Sequence, residues 1–232
     1  MPTSPALRAF IAESPLERPL IAAFVERAAA AIAPGQRVLD AGAGEAPYRE
    51  LFAHADYVTT DWTLSPHPGA RQADVVAPLY DLPLEDASFD HVVCTQVLEH
   101  VEDPVAVLSE LRRVLRPGGR LWLTVPFVGE LHEEPHDYFR YTPYGLRSLC
   151  ERGGFGAVEV DPLSGYWTTL AQTARNCGLA TGVRGGRQDL GRRSLALAML
   201  GASRVLVRLD PLDRRRALPL GYGCRAERPA AE

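Results

Sequence analysis

The sequence predicts an α/β fold, an open and mostly parallel sheet with helices on both faces, and three observations lead there. Between Arg37 and Tyr48 the string R-V-L-D-A-G-A-G-E-A-P-Y runs from a buried strand (Val38, Leu39) through Asp40 and two glycines to Pro47, the order of a strand, a tight turn and a helix start. Short apolar runs suited to strands covered on both faces recur at 90–95 and 121–125. Amphipathic helical patterns separate such runs, as βα units require. At 232 residues a single domain with a substantial core is expected, divided into a helical cap (1–35), a ligand-binding core (36–160), a helical insertion (161–216) and a last strand (217–226).

Taken in order, Leu20, Ile21, Phe24, Val25 and Ala28 stand at helical spacing until Pro34-Gly35, and this helix is expected across the mouth of the site. After the glycine turn, 48–53 should continue as a helix and 55–62 should form a second strand ending in Asp61. A short third strand is expected at 72–77, and Pro104 opens a helix with Val107, Leu108 and Leu111 on one face. Thr142 and Pro143 form an N-cap and first turn, Leu146, Leu149 and Cys150 point inward, and Gly153-Gly154 stop that helix before a strand at 155–160. Two further helices, 165–179 and 194–209, flank an arginine- and glycine-rich loop. This insertion admits three readings: a lid or dimer face, a membrane-surface helix carrying Arg204 and Arg208, or a solvated excursion.

Composition excludes several functions. The net charge of −4 leaves no molecule-wide basic footprint, and no N-P-P-Y string is present to grip a flipped base, so nucleic acid is not the expected partner. The tail from Arg175 is a local exception, with twelve arginines against five acids. Lysine is absent, which removes Schiff-base chemistry and the phosphate-loop lysine. Four scattered cysteines form no C-x-x-C, no apolar run is long enough for a bilayer and no signal pattern opens the chain, so a cytoplasmic location is expected.

Gly42 and Gly44 let the backbone approach a ligand at positive φ, and the spacing separates two cofactor classes. A dinucleotide turn wants a third glycine where this chain has Pro47. The string D-x-G-x-G instead resembles the first motif of the class I S-adenosylmethionine (SAM) methyltransferases, in which the loop meets the methionine end of the cofactor. Asp81-Leu82-Pro83-Leu84, Ser88-Phe89-Asp90, Val97-Leu98-Glu99-His100-Val101 and Val114-Leu115-Arg116-Pro117-Gly118-Gly119 stand in the order and spacing of the type 11 group of that family. The resemblance covers roughly 14–160 and implies a seven-stranded Rossmann-like sheet whose last strand is antiparallel. It further implies SAM as cofactor and a small-molecule acceptor; homodimerisation or peripheral membrane contact stay open as readings of the insertion.

The expected cofactor residues are Asp40, Gly42, Gly44, Asp61, Trp62, Leu79, Thr95 and Gln96. Asp61 would accept the ribose hydroxyls and Trp62 would lie on adenine. Family members carry an acid four residues before the Leu-Pro pair, where this chain has Pro78, so adenine falls to the backbone at Leu79 or to Asp74 or Asp81. The stretch 126–142 is dense in rings and charges, as an acceptor-facing loop should be. For O-methylation a base is needed: His136 is the first candidate, oriented by Asp137, with His132 and His100 behind it, and Tyr138, Arg140 and Tyr141 to position the acceptor. Arg140 could instead clamp the loop. His132 to His136 also spells H-E-x-x-H, but Pro135 is incompatible with the unbroken helix a zinc pair needs, so no metal is expected. Two alternatives to methyl transfer remain at this stage, a rearrangement or cyclisation on the same fold and a non-catalytic partner subunit.

Overall fold

A computed structural model describes residues 4–183 and 190–230. One seven-stranded sheet organises them: β1 Arg37–Ala41, β2 Asp56–Asp61, β3 Val75–Val76, β4 Phe89–Thr95, β5 Leu115–Pro126, β6 Gly156–Pro162 and β7 Gly221–Glu227, in the order β3-β2-β1-β4-β5-β7-β6. The first five are parallel neighbours, and β7 inserts antiparallel between β5 and β6, as the resemblance implied. The switch of direction between β1 and β4 leaves a crevice outside their carboxyl ends.

The two-residue period of the central strands supplies both faces with apolar side chains. Val38, Val93 and Trp122 face one side, where α1 (Pro5–Glu13) and α2 (Arg18–Ala30) cover them with Leu7, Ile21, Phe24, Val25 and Ala28. Leu39, Val92, Cys94, Leu121 and Leu123 face the other, under α3 (Pro104–Val114) and α4 (Pro143–Arg152). Both of the latter helices start as their sequences require. The Asp103 carboxylate accepts from the Val105 and Ala106 amides, and the Thr142 hydroxyl accepts from Gly145, each just ahead of a proline that needs no partner. α2 therefore packs on the sheet face and does not cross the site's mouth; only Leu20 and Ile21 of its first turn, with Glu17 just ahead of it, come up beside Gln96.

The helix expected after the glycine turn is not formed. Arg49–Phe52 is a single 3-10 turn, with Tyr48 and Phe52 buried at its two ends. Tyr48 meets Phe10 edge to face at 5.6 Å and Phe52 stacks on Tyr57 at 5.2 Å. With 3-10 geometry there is no long helix N-terminus to aim at a ligand.

The insertion forms α5 (Tyr166–Val183) and α6 (Leu190–Leu206), which pack against each other and meet closely at Gly178, where a Cβ would lie 3.1 Å from the Ala196 carbonyl oxygen. A 3-10 turn, Val207–Leu212, ties the pair back: the Asp210 carboxylate accepts from Gly165 and Thr168, and Asp213 accepts from Tyr166. Most of the arginine-rich loop expected between them lies outside the described residues. Among the described residues no helix is long and apolar enough to cross a membrane.

Candidate active site

A cavity of about 470 Å³ opens at the carboxyl edge of β1, β2 and β4. Its floor is the glycine turn. Gly42 sits at φ +77°, and a Cβ there would lie 2.5 Å from Cγ2 of Val97, so only glycine fits. The Gly42 and Ala43 amides donate to the Thr60 carbonyl, and the Gly44 amide donates to the Asp61 carboxylate at 2.7 Å. Asp61 also accepts from the Trp62 amide at 2.7 Å, so each of its oxygens is fixed by one backbone donor and keeps a lone pair for another. That is a carboxylate held ready for a diol.

Of the residues expected to hold a cofactor, Gly42, Asp61, Trp62, Leu79 and Gln96 line this cavity. Asp40, Gly44 and Thr95 do not. Asp40 is buried below the turn, where it accepts a hydrogen bond from the Tyr57 hydroxyl; burial pushes its carboxyl up to about 6, against that bond. It supports the turn from beneath. Asp74 is likewise committed, accepting from the Thr59 amide and hydroxyl, and Asp81 is not a lining residue. The wall opposite Asp61 is made by Pro78, Leu79, Tyr80, Val101, Ala106 and Val107. Gln96 takes φ +53° at the end of β4, where its amide donates to the Thr124 carbonyl and its side chain to the Thr124 hydroxyl.

The far end of the cavity is built by the loop after β5, and here the sequence pairing was wrong. Asp137 does not orient His136; its two oxygens take Nη1 and Nη2 of Arg140 at 2.6 and 2.9 Å, together with the His132 amide. Bidentate pairing holds the Asp137 carboxyl far below the ordinary carboxylate range. Arg140 also donates to the Glu130 and Phe139 carbonyls, so it clamps the loop and leaves the acceptor to others. Tyr141 is a core residue: it is buried and its hydroxyl donates to the Leu98 carbonyl at 2.7 Å. Neither Arg140, Tyr141, His132 nor Asp137 lines the cavity, whereas His100, His136 and Tyr138 do.

His136 has a different orienting chain. The Tyr138 hydroxyl donates to the Glu102 carboxylate at 3.0 Å, and its oxygen lies 3.1 Å from Nδ1 of His136. A hydroxyl has one proton, so with that proton on Glu102 the imidazole must donate from Nδ1, and Nε2 is left as the acceptor. The ring stands edge-on to Trp62 with centroids 5.5 Å apart. His100 donates through Nδ1 to the His136 carbonyl, 2.6 Å away, and burial lowers its proton affinity. No helix runs through 129–141, so the H-E-x-x-H string does not form the zinc geometry its spelling evokes.

The description "Methyltransferase domain" matches residues 39–123. Over 99 residues the chain is 44% identical to a demethylmenaquinone methyltransferase of Mycobacterium sp. (strain KMS), covering 40% of this chain and 43% of the relative. Residues 39–123 thus resemble the methyltransferase domain of the class I SAM-dependent methyltransferases. It is also similar to the O-methyltransferase rstn1 of Aspergillus nomiae, with 32% identity over 149 residues, 54% of this chain and 66% of that protein. The fold matches the crystal structure of a SAM-dependent methyltransferase from Archaeoglobus fulgidus with a TM-score of 0.58 at 16% identity, covering 94% of this chain and 99% of that one. The chain spans less than half the length of the mycobacterial relative it matches.

Within this methyltransferase fold, several contacts in and around the cavity carried no local signal in the sequence. Glu102 and Tyr138 lie 36 residues apart and meet only through the loop after β5. His67 and Glu133 pair at 3.2 Å across the mouth; the Glu133 carboxylate raises the proton affinity of His67, and His67 in turn lowers that of Glu133. Glu17 enters the neighbourhood of His132 and Arg140 from α2, and burial raises its carboxyl. Glu99 is fully buried, and neither of its oxygens has a hydrogen-bond partner.

Proposed function

We propose that this chain transfers the methyl group of SAM to a hydroxyl oxygen of a small-molecule acceptor. The single observation that carries this reading is the arrangement of the cavity: a diol-ready carboxylate, Asp61, at one end, and a histidine with its Nε2 lone pair free at the other. The donor set fits the cofactor. Asp61 would hold the ribose hydroxyls, the glycine turn would receive the amino-acid end past Gly42, and adenine would rest between Pro78, Leu79 and the apolar side chains of α3's start. Bound there, SAM supplies a methyl carbon activated by a sulfonium charge. The protein then has two tasks, alignment and proton removal. Trp62 and Tyr138 wall the acceptor in beside His136. His136 Nε2 takes the hydroxyl proton while the Tyr138 oxygen, tied to Glu102, stabilises the imidazolium that results. With SAM held there, the oxygen–carbon bond would form as the carbon–sulfur bond broke, the electron pair going to sulfur, so the charges would balance. The curated similarity to an O-methyltransferase agrees with an oxygen acceptor.

Two measurements test this. Calorimetric titration of S-adenosylhomocysteine into the full chain should show stoichiometric binding that Asp61→Ala loses. With a hydroxylated acceptor found by screening with methyl-labelled SAM, His136→Gln should lower turnover about 10²- to 10⁴-fold with the cofactor affinity unchanged. Absence of binding to the wild-type chain, or full turnover in the His136 variant, would overturn the reading.

A further inference from the structure

Glu99, at the centre of the Leu98-Glu99-His100 turn, is a carboxylate enclosed on all sides with no donor for either oxygen. A buried charged group without partners is costly, and the usual remedies are a proton or a cation. Next to it stand two imidazoles. One ligand atom from each of Glu99, His100 and His132 lies within 4.8 Å of the others. The His100 Nε2 is 3.9 Å from a Glu99 oxygen and 4.0 Å from Oε2 of Glu133. The rings of His100 and His132 face edge to face-normal with centroids 4.7 Å apart.

We infer that Glu99, His100 and His132 form a binding site for a divalent cation of the zinc type, with Glu133 as a fourth ligand, opening into the acceptor end of the cavity. The ligand set is two imidazoles and one or two carboxylates, which suits zinc and its first-row neighbours and not calcium or magnesium. Metal-bound ligand atoms at about 2.0–2.2 Å from the ion lie about 3.3–3.6 Å apart in a tetrahedron, so the observed separations need a contraction of roughly half to one and a half ångström. The means are at hand: His132 and Glu133 belong to the loop after β5 and are partly exposed, while Glu99 is fixed. The outer contacts also fit. His100 meets the His136 carbonyl at 2.6 Å through Nδ1, which directs Nε2 toward Glu99, and Nδ1 of His132 lies 3.1 Å from the Glu130 carbonyl. Asp137, held by Arg140, fixes the His132 backbone. The string H-E-x-x-H thus contributes one histidine to a different set, completed by a turn 32 residues earlier.

The site itself is independent of methyl transfer. Its use rests on the function proposed above: an acceptor oxygen that displaces Glu133 from such an ion would have its proton affinity lowered beside His136.

The test uses the full chain, freed of metal with a chelator and titrated with zinc by calorimetry and with cobalt(II) by visible absorption. The wild type should bind one ion per chain, with the intense cobalt bands of four-coordinate geometry. Glu99→Gln, which keeps the side chain's shape, and His100→Ala and His132→Ala should each weaken binding about a hundredfold or more, while His54→Ala should not. Unchanged circular dichroism would show that the variants are folded. No stoichiometric binding by the wild type, or wild-type affinity in Glu99→Gln and His100→Ala, overturns the inference. S-adenosylhomocysteine titrations on the same samples keep the two proposals apart: homocysteine-product binding without metal binding sinks only this site, and metal binding without it sinks only the methyl-transfer reading.

Discussion

Replacing Gly42 by alanine tests the floor of the site in a way that separates backbone strain from steric conflict. At φ +77° an alanine pays roughly 1–2 kcal/mol for left-handed backbone. Its Cβ would also stand 2.5 and 2.9 Å from the two γ carbons of Val97, an overpacking that costs about 1–3 kcal/mol in a well-packed place. Alanine narrows the unfolded ensemble and offsets about 0.4–1 kcal/mol of this. The net loss expected for Gly42→Ala is therefore about 2–4 kcal/mol, read as a lower urea midpoint at constant slope. Val97→Ala removes both γ carbons, so in that background only the backbone part should remain and about 1–3 kcal/mol should be recovered as coupling between the two sites. S-adenosylhomocysteine affinity should fall in Gly42→Ala and return in part with Val97→Ala. Equal costs in the two backgrounds would refute the steric argument. A cost under about 0.5 kcal/mol would refute both parts, since surface-like tolerance is not compatible with this turn.

Three further outcomes are expected. Because Asp40 is raised to about 6 in the folded chain from an ordinary 3.8, the unfolded carboxyl ionises first as pH rises, so stability should fall by about 2–3 kcal/mol between about pH 4 and pH 6 and then level off. Asp40→Asn keeps an acceptor for Tyr57 and should remove that slope; urea titrations at several pH values that stay parallel for the two proteins would contradict it. Tyr141→Phe should cost about 1 kcal/mol by leaving the Leu98 carbonyl unpaired, with cofactor affinity unchanged, and a loss of acceptor turnover without loss of stability would return Tyr141 to the site. Arg140→Ala should release Asp137 and speed hydrogen exchange at the Tyr138 and Phe139 amides, both now donated to the Glu99 carbonyl, leaving exchange in the central strands β1 and β4 as it was.

What could be read from the sequence depends on how far apart the cooperating residues are. The strands, the caps at Asp103 and Thr142, and the Asp61 carboxylate at a strand end follow from short windows, because period, cap and strand edge are local properties. After the glycine turn the chain makes only a 3-10 turn, and Tyr48 ahead of it packs on Phe10, a partner from α1 that no local window contains. Asp137 was assigned to His136 for adjacency alone. In a loop without helix or strand, adjacent side chains have no fixed relation, and Arg140 at three residues' distance offered the carboxylate two charged donors where an imidazole offers one. The same reasoning explains why the reactive end of the cavity is the least legible part. Glu99 and His100 leave the end of β4, His132 to Tyr138 follow β5, and Glu17 arrives from α2, so the charges that set each other's proton affinities come from three separate stretches of chain. A sheet can be inferred strand by strand, but a cluster of this kind exists only once β4 and β5 are side by side, and the unpartnered carboxylate of Glu99 is a property of that closure.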